Sequence, residues 1–382
     1  MMDSPPDERP LDVLALEPWL GGSHAALLEG WAARSAHRVE LEGLAPRHWK
    51  WRMRSSAWEL ARRLRGRPAP DVLLATDYLD LPGFLGFAPP GWERVPVLLY
   101  LHENQLTYPA DPGRPGSERD TSYGFTNLLS CLRAERVVFN SRFHLEELRT
   151  AAEELLRRLP RPNPRAELEA KLEDARIVAP GVELDALPLG AGGAPGAPLR
   201  VLFPHRWEHD KDPRAFLEAC LAARAEGARF ELLLTGEGRD DGPPGCAAAL
   251  GELAGAIAHR GHLPRADYLH LLGSADLVVS SARHEFFGLA VAEALAAGAA
   301  PLLPRRLAYP EVLGGAPPAG ALYDGPEELV RGLLRHAADP GALREPTARA
   351  AWRRRMEPWS METSALALDT LCRELAVPPP RR

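Results

Sequence analysis

Short apolar segments alternate with helical patterns from one end of the chain to the other. Each apolar segment is too short for a typical helix and is typical of a strand buried on both faces. Strands joined by helices build parallel sheets, so the pattern predicts α/β architecture. In the first half, strands are predicted at residues 11–18, 37–44, 71–77, 95–103, 136–141 and 175–181.

The alternation stops once, at residues 186–198, where glycine, proline and alanine dominate and no periodicity is present. This composition is typical of a flexible linker. We therefore predict two parallel α/β domains, residues 1–185 and 199–345, joined by that linker. The last segment, 346–382, is predicted to be helical and to cross back onto the first domain. Strands of the second domain are predicted at residues 199–207, 230–238, 276–282, 299–305 and 321–324.

Length and composition agree with two globular domains. The chain has 382 residues, is 45% hydrophobic and is 26% charged, whereas a single core rarely extends beyond about 250–300 residues. Its four cysteines form no closely spaced pair, which argues against a zinc site or a disulfide framework. No segment reaches the roughly 18 apolar residues of a membrane span, and the N-terminus does not look like a signal peptide. We expect a cytoplasmic protein that has no membrane partner.

Polar clusters follow several predicted strands at their carboxyl ends, where ligands bind in open parallel sheets. In the first domain, Gly21 and Gly22 open a helix whose N-terminal amides can hold an anion, and His102 and Glu103 follow the fourth strand. Each group alone has a simpler explanation, either a tight turn or a histidine satisfied in the core. Their coincidence with similar clusters in the second domain favours a ligand-binding cleft.

The second domain carries cations and glycines after its first strands. Arg206 and Lys211 offer positive charge for a pyrophosphate, the role that a metal ion would otherwise take. Gly236 follows the next strand, and the loop around His262 is our candidate for contacts with a nucleobase. The simpler alternative for the two cations is surface ion pairing with neighbouring carboxylates. No cluster of metal ligands accompanies them, so we expect a site that needs no divalent metal.

Two glutamates, Glu285 and Glu293, stand eight positions apart across a predicted strand-to-helix junction. A carboxylate on the helix can accept hydrogen bonds from both hydroxyls of a ribose, and one in the preceding loop can accept them from a sugar. The pattern predicts a sugar-nucleotide site in which Glu293 holds the ribose and Glu285 orients the sugar. The amides expected near the phosphate belong to Phe287, Gly288 and Leu289.

Residues 47–67 carry eight cations and one carboxylate, a local charge of +7 in a chain whose formal charge is −6. Three tryptophans lie among them. Cations that neutralise phosphates and rings that stack on bases are how proteins hold single-stranded RNA loops. The alternative is an amphipathic helix whose tryptophans are core and whose arginines are solvated. The segment favours RNA binding through Arg47, Trp49, Lys50, Trp51, Arg52 and Arg54.

These motifs resemble known families. The pair of glutamates, with Arg206 and Lys211 upstream, resembles the retaining glycosyltransferases of family 4, which have the GT-B fold of two Rossmann-like domains and an interdomain cleft. The likeness to the tRNA-queuosine α-mannosyltransferase family covers most of residues 11–340. It rests on the segments "GGSH", "RHWKWRMRSSA", "LHENQLTYP", "YGFTNLLSCLRAERVVFNSRFH" and "FPHRWEHDKDP".

The resemblance implies GDP-mannose as donor and queuosine, at the wobble position of tRNA, as acceptor. It also implies retention at the anomeric carbon, and it places His102 beside the transferring sugar as a catalytic residue together with Glu285. On the acceptor side we expect His24, Glu103 and Asn104. No metal cofactor and no obligate protein partner are expected.

Three other functions fit part of the sequence. A family-4 transferase with a small-molecule or glycan acceptor would share the donor site, but the basic, tryptophan-rich segment argues against it. A catalytically inactive RNA-binding relative would share that segment, but Glu285, Glu293, Arg206 and Lys211 are all intact. A nucleotide-sugar epimerase shares the fold, and only an assay distinguishes it.

Overall fold

The structure, a computed structural model of the chain, describes residues 9–109, 120–236 and 244–376. These residues form two compact units, each built on its own six-stranded parallel sheet. Unit 1 comprises described residues 9–108, 120–181 and 361–376, and unit 2 comprises described residues 109, 182–236 and 244–360.

Strands and helices alternate through both units. The strands in the described residues are β1 (Asp12–Glu17), β2 (Arg38–Gly43), β3 (Val72–Thr76), β4 (Val97–Leu101), β5 (Arg136–Phe139), β6 (Arg176–Ile177), β7 (Leu199–Phe203), β8 (Phe230–Thr235), β9 (Ile257–Gly261), β10 (Leu277–Val279), β11 (Ala300–Pro304) and β12 (Leu322–Tyr323). The α-helices there are α1 (Gly22–Arg34), α2 (Trp49–Arg63), α3 (Leu81–Phe87), α4 (Thr121–Arg133), α5 (Arg142–Arg158), α6 (Arg165–Glu173), α7 (Pro213–Ala225), α8 (Cys246–Leu253), α9 (Arg265–Ser274), α10 (Leu289–Ala296), α11 (Tyr309–Val312), α12 (Pro326–Ala338), α13 (Gly341–Arg344), α14 (Pro346–Met356) and α15 (Met361–Ala376).

The sheet of unit 1 is covered by helices on both faces, which explains why β3 and β4 are apolar and buried at almost every position. On one face, α1 and α15 pack through residues such as Trp31 and Leu368. On the other face, α2 to α6 pack through residues such as Leu60 and Leu148. The Trp31 indole donates a hydrogen bond to Asp369 at 2.7 Å, which ties α15 to α1.

Unit 2 repeats this architecture with a different strand order. Its sheet runs β12–β11–β10–β7–β8–β9, all parallel. Helices α7, α8 and α12 pack on one face through Phe216, Leu250 and Leu333. Helix α10, which carries Glu293, packs against α9 and α14.

In each sheet the strand order reverses beside the first strand of the unit. In unit 1, whose order is β2–β1–β3–β4–β5–β6, β1 lies between β2 and β3; in unit 2, β7 lies between β8 and β10. Connections leave such a point towards opposite sides and open a crevice beyond the carboxyl ends of the strands, where ligands bind in these sheets. The residues that follow β1 and β3, and those that follow β7 and β10, are therefore best placed to bind ligands.

Each of the eleven predicted strands contains an observed strand. Residues 237–238, at the end of the predicted strand 230–238, lie outside the described residues. Strand β9 was not predicted. Its sequence, "IAHRG", has two adjacent polar residues and no fully buried position, and among the described residues the strand lies at the edge of the sheet, paired with β8. An edge strand that is half exposed has no continuous apolar run, so periodicity does not reveal it.

The expectation of a flexible linker at 186–198 is wrong, because this segment is fixed to unit 2. The buried Arg349 donates hydrogen bonds to the carbonyls of Gly190, Gly273, Ala275 and Ala297. A Cβ at Gly190 would lie 1.9 Å from the carbonyl oxygen of Gly273, so only glycine permits this approach. The residue that holds the segment, Arg349, lies far along the chain. The local composition therefore gave no sign of this contact and predicted flexibility instead.

The C-terminal residues form two helices that belong to different units. Helix α14 packs in unit 2, whereas α15 packs in unit 1 against α1, β3 and β4. The C-terminal segment was predicted to cross back onto the first domain. Helix α15 packs there, whereas α14 does not. In the part of the chain that the structure describes, no helix is both long and apolar enough to cross a membrane.

Candidate functional site

Four buried polar side chains meet at the carboxyl ends of the strands in unit 1. Glu17 ends β1, His24 lies in the first turn of α1, and Asp77 and His102 directly follow β3 and β4. The Glu17 carboxylate lies 3.0 Å from Nδ1 of His24, and the backbone N–H of His102 donates to Asp77 Oδ1 at 2.9 Å. All four are at most 5% exposed, so these groups interact in a region of low dielectric.

A row of stacked rings leads from helix α2 to His102, and we call it the aromatic ladder. Its members are Trp49, Tyr78, His24 and His102. The ring centroids are 6.2 Å apart for Trp49 and Tyr78, 5.4 Å for Tyr78 and His24, and 3.9 Å for His24 and His102. The ladder thus connects the predicted RNA-binding helix with the predicted catalytic histidine inside one unit.

The charges of this cluster are set by burial and by the carboxylates. Burial alone would lower the pKa of His24, but the Glu17 carboxylate raises that pKa to about 9, so the imidazole is protonated at neutral pH. Burial raises the pKa of Asp77 to about 7, against the opposing effect of His24. Burial and the neighbouring His24 hold the pKa of His102 well below its ordinary value, so His102 is neutral.

Several buried polar atoms of unit 1 have no hydrogen-bond partner within the described residues, among them Asp77 Oδ2, His102 Nε2 and Asn104 Nδ2. Leaving a buried polar group unsatisfied costs about 1–3 kcal/mol, so these atoms are suited to a polar ligand. The other side of Asn104 is already used, because its Oδ1 accepts the backbone N–H groups of Leu106 and Thr107 and holds the turn after β4.

One group of residues in the described ranges has the geometry of possible metal ligands: atoms of Glu17, His24 and His102 lie within 4.8 Å of one another. Glu17 already bonds His24 Nδ1. The two imidazole rings stack with only 22° between their planes, whereas ligands of one ion point their in-plane nitrogens towards a common centre. The stacked arrangement suits an ion pair better than a metal centre.

The glycines that follow β1 shape the start of α1. Gly21 is the N-cap and supplies no side chain to the first amides of the helix, and no acidic residue lies in the first turn. Gly22 has φ +54°, in the left-handed region that disfavours other residues. The helix therefore presents uncapped backbone N–H groups, which is the property that the prediction of anion binding requires.

In unit 2, Lys211 lies between two carboxylates at the ends of β7 and β10. Its Nζ is 3.1 Å from Glu285 and 3.2 Å from Asp210, and it donates to the carbonyl of His284 at 2.9 Å. Burial would raise the pKa of Glu285, but the Lys211 ammonium and His205 lower it to about 2. Glu285 is therefore ionised at neutral pH and accepts hydrogen bonds only.

The two cations that were predicted to bind a pyrophosphate have different environments. Lys211 is buried and forms an ion pair with buried Asp210, so it is not the surface pair that the simpler alternative proposed. Arg206 is half exposed and lies 3.3 Å from Glu208, as that alternative proposed for this residue. Gly236 contacts the same loop, since a Cβ there would lie 2.4 Å from the carbonyl oxygen of His205.

Glu293 lies on α10, one helix turn into the element, and lies beside residues that the sequence reading did not identify. Arg265 Nη2 lies 2.6 Å from Glu293 Oε1, and burial, together with the nearby Glu293 carboxylate, raises the pKa of Tyr268 above its ordinary value. Both come from α9, which follows the exposed His262. An ionised carboxylate can accept about four hydrogen bonds, so two further hydroxyls can still bind to Glu293.

The loop between β10 and α10 is packed and not open. Phe287 is buried and meets the Trp359 ring edge to face at 5.8 Å. Gly288 has φ +89° and is the N-cap of α10, which begins at Leu289 without a side-chain cap. As at α1, uncapped backbone amides remain at the start of the helix, next to Glu285.

The predicted RNA-binding segment forms α2, and the structure rejects the core alternative for two of its tryptophans. Trp51 and Trp58 are 64% and 52% exposed. Its arginines are less free than the sequence suggested, because Arg52 pairs with Glu59 at 3.1 Å and Arg54 stacks on the ring of Tyr123. Arg47 and Lys50 are exposed and form no ion pair with another described residue.

The predicted site residues thus fall into two groups, one in each unit. The groups are Gly21, Gly22, His24, Arg47, Trp49, Lys50, Trp51, Arg52, Arg54, His102, Glu103 and Asn104 in unit 1, and Arg206, Lys211, Gly236, His262, Glu285, Phe287, Gly288, Leu289 and Glu293 in unit 2. Sequence reasoning missed Glu17, Asp77 and Tyr78. A rule that marks every polar residue at a strand end would have found the first two.

Comparison with known proteins identifies similar sequences for both halves of the chain. A family model described as tRNA-queuosine alpha-mannosyltransferase N-terminal matches residues 12–182, and one described as glycosyl transferases group 1 matches residues 191–354. The tRNA-queuosine alpha-mannosyltransferase of Drosophila melanogaster is 31% identical over 348 residues, which cover 87% of this chain and 89% of the relative.

Solved structures show the same fold at low sequence identity. Sucrose-phosphate synthase from Thermosynechococcus elongatus superposes with a TM-score of 0.72 at 17% identity, covering 95% of this chain and 99% of its own. The catalytic domain of starch synthase IV from Arabidopsis thaliana gives 0.69 at 13% identity, covering 96% and 100%. These similarities, with the two parallel sheets, confirm the predicted GT-B fold class.

The ion pair of Glu17 and His24 predicts a pH dependence of stability. The folded-state pKa of His24, about 9, lies above the ordinary 6.5, so the folded protein keeps a proton that the unfolded chain loses. The stabilisation is complete below pH 6.5, and the free energy of unfolding should fall by about 2–3 kcal/mol as the pH rises through 9. Denaturant titrations between about pH 6 and 10 measure this. Glu17→Gln should abolish most of the slope, whereas the exposed Glu167→Gln should retain it. A wild-type curve that is flat over this window would show that His24 is neutral.

Proposed function

Because the chain belongs to the tRNA-queuosine alpha-mannosyltransferase family, we propose that it transfers mannose from GDP-mannose to queuosine at the wobble position of tRNA. Membership makes the chain a glycosyltransferase; the donor, the acceptor and the retention of configuration are our proposal. The observation that carries it is the aromatic ladder, which connects an exposed, basic, tryptophan-bearing helix with the buried His102. An RNA surface that leads to a sugar-handling residue fits a transferase with an RNA acceptor.

The donor site lies in unit 2. Glu293 is proposed to accept the ribose hydroxyls, held in position by Arg265. Lys211 faces the diphosphate together with the uncapped amides of α10, which supply positive potential without a metal ion. Since Glu285 is ionised and fixed by Lys211, it is suited to accept hydrogen bonds from hydroxyls of the mannose.

We propose that the configuration at the anomeric carbon is retained because the acceptor hydroxyl attacks that carbon from the same face from which the phosphate leaves. The bond between the anomeric carbon and the phosphate oxygen breaks, the bond to an acceptor hydroxyl forms, and the hydroxyl proton passes to the departing phosphate oxygen of GDP. The anomeric carbon gains positive charge on the way. A protonated histidine would oppose that charge, whereas the neutral His102 can position a sugar hydroxyl without repelling it.

Transfer itself is the first test. Purified protein incubated with radiolabelled GDP-mannose should label tRNA that contains queuosine and should not label tRNA that lacks it. Labelling should persist with a chelator and with no added protein, because the proposed site uses neither a metal ion nor a protein partner. We also propose a cytoplasmic location, because the proposed acceptor is a tRNA. Loss of activity with the chelator and its recovery with Mn²⁺ or Mg²⁺ would refute the metal-free part of the proposal.

The two glutamates should separate donor binding from turnover. Glu293→Gln should weaken GDP binding by about 1.5–3 kcal/mol, because GDP retains the ribose, while Glu285→Gln should leave GDP affinity nearly unchanged and lower kcat. Calorimetry with GDP and turnover with GDP-mannose measure the two effects. Glu311→Gln, in the same unit, is the matched control. Equal losses of GDP affinity in both site variants would contradict the assignment.

The exposed cations of α2 should contribute to tRNA affinity through phosphates. Arg47→Ala and Lys50→Ala should each reduce the slope of log K against log salt by about 0.7–0.9, the value for one neutralised phosphate. Trp51→Ala should cost about 1–3 kcal/mol of tRNA binding if it stacks on a base, with an unchanged Tm because its ring is exposed. Filter binding at several salt concentrations measures this, with Arg94→Ala as the control, since Arg94 is 88% exposed in the same unit. An unchanged slope in both cation variants would place the tRNA elsewhere.

A further inference from the structure

The polar cluster of unit 1 holds more carboxylates than cations. Glu17, Asp77 and Glu103 all act electrostatically on the His24 imidazole, and each of them raises its pKa. Glu17 is committed to that imidazole through a hydrogen bond at 3.0 Å. No cation of the described cluster pairs directly with Asp77 or Glu103. These two carboxyl groups therefore leave the cluster with negative charge, or with a charge that forms when the carboxyl loses its proton.

Both of these carboxylates have capacity for a further donor. Asp77 is 1% exposed, its Oδ1 accepts the backbone N–H of His102, and its Oδ2 is buried without a hydrogen-bond partner. Glu103 is partly exposed, and after burial it is the main cause that raises the pKa of the neighbouring Tyr78 hydroxyl. An ionised carboxylate has room for about four hydrogen bonds, so each can take a donor from a ligand. Asn104 Nδ2 and His102 Nε2 add two more unsatisfied buried atoms after β4.

The rings beside the carboxylates belong to the aromatic ladder. Tyr78, which follows Asp77 in the chain and whose pKa is raised by burial and by the Glu103 carboxylate, is the second ring of that ladder and is followed outwards by Trp49. Carboxylates combined with electron-rich aromatic rings recognise ammonium groups, because the carboxylate pairs with the charge and the rings attract it through their quadrupoles. Hydroxyl groups alone would not need this excess of negative charge.

We infer that Asp77 and Glu103 form a subsite for a protonated secondary amine of the acceptor, next to the diol that receives the sugar. This rests on the proposed function: in queuosine the cyclopentene diol is joined to the deazaguanine through a secondary amine, which is protonated at neutral pH. The subsite makes the acceptor's charge, in addition to its hydroxyls, a determinant of specificity. An uncharged side chain with the same diol is then a poor acceptor.

The test compares two anticodon stem–loop RNAs that differ only in that amine. One carries queuosine, and the other carries the same side chain with its amine converted to an uncharged amide. In filter binding at fixed salt, the wild type should bind the amine form about tenfold or more tightly than the amide form. Glu103→Gln and Asp77→Asn should each reduce this ratio to about threefold or less, and thermal melts establish that they remain folded. Glu167→Gln, an exposed residue of α6 in the same unit, should keep the full ratio.

The outcomes separate this inference from the proposed function. A wild-type ratio near one refutes the amine subsite, whether or not the RNA is mannosylated. A full ratio that both site variants retain also refutes it, because the charge is then recognised elsewhere. Failure to transfer mannose to the amine form, despite a full ratio that both variants reduce, contradicts the proposed reaction and leaves the subsite intact.

Discussion

The reversal of strand order within each parallel sheet is the constraint on which the rest of the structure depends. Parallel strands direct all their carboxyl ends to one edge, and connections that diverge at one point leave a crevice there. Glu17 and Asp77 stand at that point in unit 1, and Lys211 and Glu285 stand at it in unit 2. The two units share no strand order, yet each brings charged groups to the same place in its own sheet.

Burying those charges is costly, and the molecule offsets the cost by pairing them. Lys211 contacts both Glu285 and Asp210, and His24 contacts Glu17 at 3.0 Å. Compared with apolar side chains of the same size, such pairs add little net stability, because desolvation cancels much of the Coulomb attraction, although loss of the His24 proton still destabilises the fold. Their consequence is a fixed protonation state: Glu285 is ionised, His24 is charged and His102 is neutral. The proposed sugar-nucleotide site would need such defined donors and acceptors, so under that proposal pairing serves binding more than folding.

The sequence predicted the parts of this protein that depend on local pattern. Buried strands are continuous apolar runs and were found, whereas the polar edge strand β9 was not. The placement of Glu285 in a loop and of Glu293 on the following helix was predicted correctly, because their spacing spans one strand-to-helix junction. Their partners were harder to foresee: Arg265 reaches Glu293 from the preceding helix, and Arg349 fixes residues 186–198 from far along the chain. Neither contact leaves a trace in a linear pattern, because each depends on how helices pack over the sheet.

The basic segment shows the same limit quantitatively, and it changes the expected character of RNA binding. Its local charge of +7 counts arginines that the fold already pairs: Arg63 bonds Glu59 and Glu42, and Arg67 bonds Glu40 of the neighbouring strand β2. Paired cations have less positive potential to offer phosphates, so electrostatics alone provides a smaller share of affinity than the sequence implied. In contrast, the rings of Trp51 and Trp58 are exposed and accessible for stacking. Under the proposed function we therefore expect stacking of bases on these rings, followed by the ladder that leads to His102, to carry more of the recognition and to favour an unpaired loop over a duplex.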